Sequence, residues 1–115
     1  MDSFAALSDP TRRSIYEMLA SRGELPASDI SAQFPVSASA ISQHLKILRE
    51  SGLVLMEKRA QQRIYRINPE ALVNMEAWFQ RMTQLWEQRF DALDALITVE
   101  KNKMVERKDD QDEPK

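Results

Sequence analysis

The sequence contains no cysteine, two glycines and a single histidine among its 115 residues. The lack of cysteine excludes disulfides, thiolate metal sites and cysteine nucleophiles. Two glycines are too few for a glycine-rich phosphate loop, and no nucleophile stands with a base and an orienting acid, so we expect no enzymatic activity. No apolar run reaches the length of a membrane span and no signal-peptide pattern is present, so we expect a cytoplasmic protein without membrane contacts.

Charge is distributed unevenly along the chain. The net charge is −2, but residues 1–36 carry −2, residues 37–66 carry +4 and residues 67–115 carry −4. The length suits a single domain with a small core. A local basic segment attracts a phosphate backbone even when the whole chain is acidic. We therefore look for nucleic-acid contacts in residues 37–66.

Residues 37–51 have the spacing of an amphipathic helix. Ile41, Leu45 and Leu48 recur at three- and four-residue steps and predict one buried face. Ser37 is a suitable N-cap, and Gly52 suits the left-handed position just past the end. An amphipathic surface helix is the simpler alternative. The opposite face of this helix consists of hydroxyl, amide and cationic side chains, which are groups that read base edges and hold phosphates. These residues are Ser39, Ser42, Gln43, Lys46 and Arg49.

The segments before this helix complete a helix-turn-helix arrangement. Asp9-Pro10 is a helix start signal, and Gly23 ends that helix. Residues 27–34 form a second short helix, which Pro35 stops. Because only a three-residue turn separates it from the helix over 37–51, the pair matches the motif whose second helix enters the major groove.

Residues 53–67 follow with the composition of a β-hairpin. The β-rich runs 53–56 and 64–67 flank a polar tip that contains no acid from Lys58 to Arg66. A charged tip can serve solubility alone. Its position directly after the recognition helix favours a wing that contacts the minor groove or flanking phosphates. The expected wing contacts are Lys58, Arg59, Gln61, Gln62 and Arg63.

A long helix is predicted from Pro69, with Asn68 as its cap and Glu70 in its first turn. Apolar residues continue to Ile97, and the stripe that they form is too wide to pack on a single neighbouring surface. We therefore expect a homodimer rather than a helix packed only on its own domain. From Lys101 the chain is charged, and we expect a winged domain over 1–100 and a disordered tail over 101–115. The expected dimer contacts are Phe4, Leu7, Met75, Phe79, Met82, Trp86 and Leu93.

The order of these elements resembles the ArsR (arsenical resistance repressor) family of bacterial winged-helix regulators. The resemblance covers residues 4–98 and rests on three runs: Ala6-Leu7-Ser8-Asp9-Pro10-Thr11-Arg12, Ser37-x-Ser39-x-x-Ser42-x-His44-Leu45-Lys46-x-Leu48-Arg49-x-x-Gly52-Leu53-Val54, and Tyr65-Arg66-Ile67. It implies a homodimer that occupies a palindromic operator in double-stranded DNA and represses by occlusion, commonly its own operon.

In many members of that family a metal ion releases the DNA, and this chain departs from both common metal sites. One uses two cysteines in Glu-Leu-Cys-x-Cys-Asp-Leu, where this chain has Pro26 and Ser28. A soft metalloid needs those thiolates. The other needs histidines on the long helix, and no histidine follows His44. The run from Trp86 to Leu96 resembles that of metal-free members. We therefore expect neither metal nor cofactor, although a metal- or ligand-responsive repressor is an alternative.

The combined interpretation is a mainly α-helical winged helix-turn-helix regulator with a small β-hairpin. We expect Ser39, Ser42 and Gln43 to face base edges, and His44, Lys46 and Arg49 to hold phosphates. A partly buried polar residue is the alternative for His44. The rival function is a protein-interaction module whose hot spots are the aromatic residues of the long helix, Trp78, Phe79 and Trp86.

Overall fold

A computed structural model describes residues 2–111, and the side chains of residues 2–105. Helices predominate beside one small antiparallel sheet, which confirms the predicted fold class. In chain order the elements are α1 (Ser3–Ala6), α2 (Pro10–Arg22), β1 (Leu25–Pro26), α3 (Ala27–Ala32), α4 (Ala38–Glu50), β2 (Val54–Arg59), β3 (Gln62–Ile67) and α5 (Pro69–Gln111).

The predicted helix ends are confirmed by their capping bonds. The Asp9 carboxylate accepts from the Arg12 backbone N–H at 2.9 Å, with Pro10 in the first turn. Ser37 Oγ accepts from the Ala40 N–H at 3.1 Å and begins α4. Gly23 follows α2 at a φ of 87°, a left-handed value that glycine adopts without strain. These ends depend on neighbouring residues, which explains why sequence predicts them.

The sheet differs from the predicted hairpin in two ways. Its order is β1-β3-β2, and the two-residue β1, which pairs Leu25 with Tyr65, was not predicted. The hairpin strands also run almost to the tip, so that only Ala60 and Gln61 connect them. Ala60 has a φ of 59°, in the left-handed region that tight hairpin turns require. The other four residues expected at the tip therefore lie on strands.

The core joins α4 to the sheet and to α2. Ile41, Leu45 and Leu48 are buried, as their spacing predicts, at 1%, 1% and 0% exposure. Asn68 fixes the start of α5 against the end of α4, because its Nδ2 donates to the Gly52 carbonyl at 2.9 Å. The remaining core residues come from the helices through the first turn of α5 and from the hairpin: Ala6, Ile15, Tyr16, Leu19, Ile30, Leu53, Val54, Tyr65 and Ala71.

The chain divides into two compact units after Glu76, so α5 contributes to both. The second unit, from Ala77, contains no buried side chain among those described. The disordered tail expected from Lys101 is corrected, because α5 continues as helix through Gln111. Lysine, glutamate and arginine favour helix despite their charge. Residues 112–115 of that expectation lie outside the described residues. No described helix has the length and apolarity that a bilayer crossing needs.

Candidate nucleic-acid interface

The exposed face of α4 presents the side chains that sequence predicted to read DNA. Ser39, Ser42, Gln43, Lys46 and Arg49 are all exposed, opposite the buried face of the helix. Of these five, only Lys46 has an ion pair among the described residues, 4.0 Å from Glu50. Both groups in that pair are at least half exposed, so the interaction is weak and a phosphate can displace it. The face therefore offers free donors and acceptors to a partner.

His44 lies on the flank of α4 rather than on this face. Its Nδ1 is 3.7 Å from the Asp9 carboxylate, and its side chain is 24% exposed. That nitrogen is buried without a hydrogen-bond partner in the described structure. The backbone N–H of Arg12 and, secondarily, the charge of His44 hold the pKa of Asp9 below its usual value. The position favours the partly buried role for His44 over the phosphate contact.

The wing residues divide between the two faces of the hairpin. Lys58 pairs across the strands with Arg63, and alternation along the strands places both on the face that carries the core residues Val54 and Tyr65. Arg59 and its partner Gln62 lie on the other face. Two cations directly opposite each other repel. A phosphate between Lys58 and Arg63 would relieve that repulsion.

Arg59 is already engaged by acids on its own face. Its guanidinium donates to Glu24 at 3.1 Å and to Glu57 at 2.7 Å. These hydrogen bonds, that to Glu24 first, raise the pKa of Arg59, and the same contact lowers the pKa of Glu24. The sequence prediction missed this pairing because Glu24 is 35 residues away along the chain. Arg59 has less free charge for DNA than Lys58 or Arg63.

The fold brings the wing beside the recognition helix. Arg63 of β3 and Ser42 of α4 line one cleft of about 150 Å³. Ser28 and Ser31 of α3 line it as well. The sequence prediction did not include these two serines, because no local signal relates α3 to β3. The cleft extends the candidate interface from α4 onto α3 and the wing.

The residues expected at a dimer interface differ in how exposed they are. Leu7 and Met75 pack partly on the core of their own unit. Phe4 is half-buried. The remaining four are exposed on α5: Phe79 at 56%, Met82 at 36%, Trp86 at 67% and Leu93 at 55%. Phe79 makes an edge contact with Trp78, with ring centroids 5.2 Å apart. The apolar face of α5, defined as Met82, Trp86 and Leu93, is therefore largely accessible in the isolated chain.

The described side chains contain no group of three or more histidine, cysteine, aspartate or glutamate residues placed to hold a metal ion. Pro26 ends β1, and Ser28 faces the cleft beside Arg63. Their side chains lack the thiolates of the family's cysteine motif.

Comparisons with known proteins agree with this geometry. Residues 7–57 match the family described as a helix-turn-helix domain. An HTH-type transcriptional regulator of Mycobacterium tuberculosis is 40% identical over 70 residues, which cover 61% of this chain and 64% of that protein. The transcriptional repressor SdpR of Bacillus subtilis is 36% identical over 75 residues, 65% of this chain and 82% of that protein. The arsenical resistance operon repressor of Escherichia coli is 39% identical over 80 residues, 65% and 68% of the two chains.

Solved structures show the same fold. An ArsR-like transcriptional regulator from Rhodococcus sp. RHA1 superposes with a TM-score of 0.72 at 34% identity, covering 81% of this chain and 87% of that one. The homodimeric winged helix-turn-helix DNA-binding domain of a possible ArsR-family regulator from Mycobacterium bovis has a TM-score of 0.58 at 26% identity, covering 71% and 75%. With its recognition helix, wing and core arranged in this way, the chain belongs to the ArsR family of winged helix-turn-helix transcriptional regulators.

Proposed function

We propose that this chain acts as a homodimeric repressor that occludes a palindromic operator and does so without a metal effector. The observation that carries the proposal is the exposed polar face of α4, which stands beside two unpaired wing cations. Relatives that are transcriptional repressors support it. In this arrangement two copies of α4 enter successive major grooves about 34 Å apart.

Base recognition in this proposal comes from the middle of the α4 face. Ser39, Ser42 and Gln43 are short, exposed and free of hydrogen bonds to other described side chains. Hydroxyls read several base edges, and glutamine reads adenine in a bidentate manner. These three residues therefore set the sequence preference.

Phosphate contacts come from cations around that face. Lys46 and Arg49 lie on α4, and Lys58 and Arg63 extend from the hairpin face that carries core residues. Gln61 at the tip and Gln62 are uncharged additions, and Arg59 contributes only after it leaves Glu24 and Glu57. Four cations in each of two protomers predict a slope of log affinity against log salt of about −7.

Dimerisation in this proposal uses the apolar face of α5 and Phe79 of the same helix, together with Phe4, Leu7 and Met75 of the first unit. An exposed apolar stripe of this size is unfavourable in water and marks an interaction surface. A second copy with two-fold symmetry covers the same stripe on both chains. The M. bovis domain of similar fold is homodimeric, which supports this proposal.

The test is a titration with the DNA upstream of the protein's own gene, at two salt concentrations, with and without chelator. We expect tight, salt-dependent binding to a palindrome that the chelator leaves unchanged. Replacing Gln43 with alanine should relax preference at one position in each half-site and leave non-specific affinity unchanged. Binding that never exceeds the non-specific micromolar range would refute the proposal. A stable dimer without specific DNA affinity would favour the protein-interaction module.

A further inference from the structure

One ion pair connects the two edges of the small sheet. The sheet order is β1-β3-β2, Glu24 immediately precedes β1, and Arg59 is the last residue of β2. The Arg59 guanidinium nevertheless donates to both carboxylate oxygens of Glu24, at 3.1 and 3.5 Å. Because β3 lies between the other two strands, the two side chains meet only by crossing over β3. We call this contact the cross-sheet pair.

The strand register shows where the cross-sheet pair passes over β3. Arg59 is opposite Gln62, whereas Leu25, the residue after Glu24, is opposite Tyr65. The crossing point on β3 is therefore close to Ile64, which alternation places on the same face as Arg59. Ile64 is only 7% exposed, although it does not belong to the core cluster. Arginine stems cover apolar surface while their charged ends stay in water, so Arg59 is well placed to cover Ile64.

The wing tip, defined as residues 57–63, has few other connections to the winged unit. All seven of its residues are exposed, and β1 pairs with β3 only at Ile64 and Tyr65. Among the described side chains, the hydrogen bonds that join the tip to residues outside the hairpin are those from Arg59 to Glu24. A two-stranded ribbon without packing is only marginally stable. The position of the tip therefore depends strongly on the cross-sheet pair.

The cross-sheet pair has the geometry with which an exposed ion pair contributes to order. Isolated surface pairs contribute little, but bidentate arginine–carboxylate contacts and networks of several charges contribute more. Arg59 also donates to Glu57 at 2.7 Å, which makes the contact a network of three charges. The hydrogen bond from Arg59 lowers the pKa of Glu24, so that its carboxylate stays charged at neutral pH.

We propose that Glu24 is a positioning residue, which through Arg59 holds the wing tip so that Lys58 and Arg63 meet the DNA backbone in a fixed place. This inference rests on the proposed DNA-binding function and gives a role to an acid that does not itself contact DNA. Arg59, which the sequence predicts to contact DNA, acts here through the sheet. Without the pair, the tip is ordered only when DNA binds, and that ordering costs conformational entropy.

The first test compares Glu24→Gln with Glu57→Gln in the full chain, titrated with the DNA upstream of the protein's own gene. Both variants remove an acid that binds the Arg59 guanidinium, but Glu57 lies on the same strand as Arg59, so only E24Q breaks the link across the sheet. Both acids are exposed, and a thermal melt verifies folding. We expect E24Q to lower the affinity of the dimer by about 5-fold and E57Q by less than about 2-fold. Equal effects of the two variants would overturn the proposal.

A second test separates positioning from a direct contact of Arg59 with DNA. Arg59→Gln and the double variant E24Q/R59Q should each lower affinity by about 5-fold, as E24Q does, because all three remove the same link. The salt slope should stay within about 0.5 of the wild-type value, because no phosphate contact is lost. A slope that R59Q reduces by about 2 would assign Arg59 to a phosphate in each protomer. Tighter binding by E24Q would show that the acid only restrains Arg59. Either result would overturn the proposal.

A third measurement examines the wing tip in the protein without DNA. The ¹⁵N heteronuclear NOE of Ala60 and Gln61 reports backbone order at the tip. We expect E24Q to lower it, E57Q to leave it unchanged, and both to leave α4 unchanged. A tip that is as ordered in E24Q as in the wild type would overturn the proposal. A disordered tip with unchanged DNA affinity would overturn the positioning role alone, whereas a wild type that binds no DNA would overturn the proposed function as well.

Discussion

Replacing Trp86 with alanine tests whether the apolar face of α5 holds two copies together. Trp86 is the most exposed large apolar residue of α5, at 67%. A buried tryptophan removes roughly 150 Å² from water beyond what alanine can, worth about 4 kcal/mol at ~25 cal/mol per Å². Because the proposed dimer is two-fold symmetric, the substitution removes this burial from both chains. If only about half of that area is covered in the dimer, the loss is about 4 kcal/mol in total.

The expected result is a rise in the dimer dissociation constant of about 1,000-fold, which sedimentation velocity over a concentration series measures. Specific DNA affinity should fall in parallel, because a palindrome binds two recognition helices only when the chains are joined. Val73→Ala is the matched control, since Val73 is 61% exposed on the same helix but lies about 140° around its axis from Trp86. A dissociation constant that W86A and V73A change equally would refute the assignment of this face.

Three other predictions follow from the interface and from the cap of α2. Arg63→Gln should reduce the salt slope of DNA binding by about 2 for the dimer. Arg59→Gln should change the slope by less than half as much, because Glu24 and Glu57 already bind that guanidinium. Equal changes in slope for the two variants would contradict the view that Arg63 is free for DNA and Arg59 is not. Because the folded-state pKa of Asp9 is lowered, its charge stabilises the fold above the usual aspartate range and that contribution is lost as pH falls through the folded pKa. Acid unfolding monitored by circular dichroism should therefore show a weaker pH dependence for Asp9→Asn, which keeps the cap, while Asp9→Ala should also lose about 1 kcal/mol at neutral pH. Adding a chelator, zinc or arsenite to the operator complex should not change its affinity in an electrophoretic or anisotropy titration, and release of DNA by any of them would contradict metal-independent repression.

The helices of the winged unit follow closely from local sequence. Asp9-Pro10 begins α2, Ser37 begins α4 and Gly52 follows the end of α4, as expected. Capping involves groups within about four residues of each other, so the sequence contains all the information. The buried face of α4 could equally be predicted from the sequence, because helical spacing alone determines which side chains share a face.

The limits of α5 show where composition misleads. Charged residues after Lys101 indicated a disordered tail, yet the helix continues to Gln111. High charge argues against a packed core, but it does not prevent helix in residues with high helical propensity. The expectation treated the lack of a core as a lack of helix.

What the sequence by itself determined is the set of elements, the polar face of the recognition helix and the concentration of positive charge after it. Only the tertiary structure decided which of those charges are free and what stands beside them. The Glu24–Arg59 pair joins residues distant in sequence, the Lys58–Arg63 register depends on how the hairpin pairs, and Ser28 and Arg63 line one cleft although they are far apart along the chain. The physical reason is that caps and helical faces depend on neighbours along the chain, whereas charge pairing and clefts depend on strand register and on packing between elements.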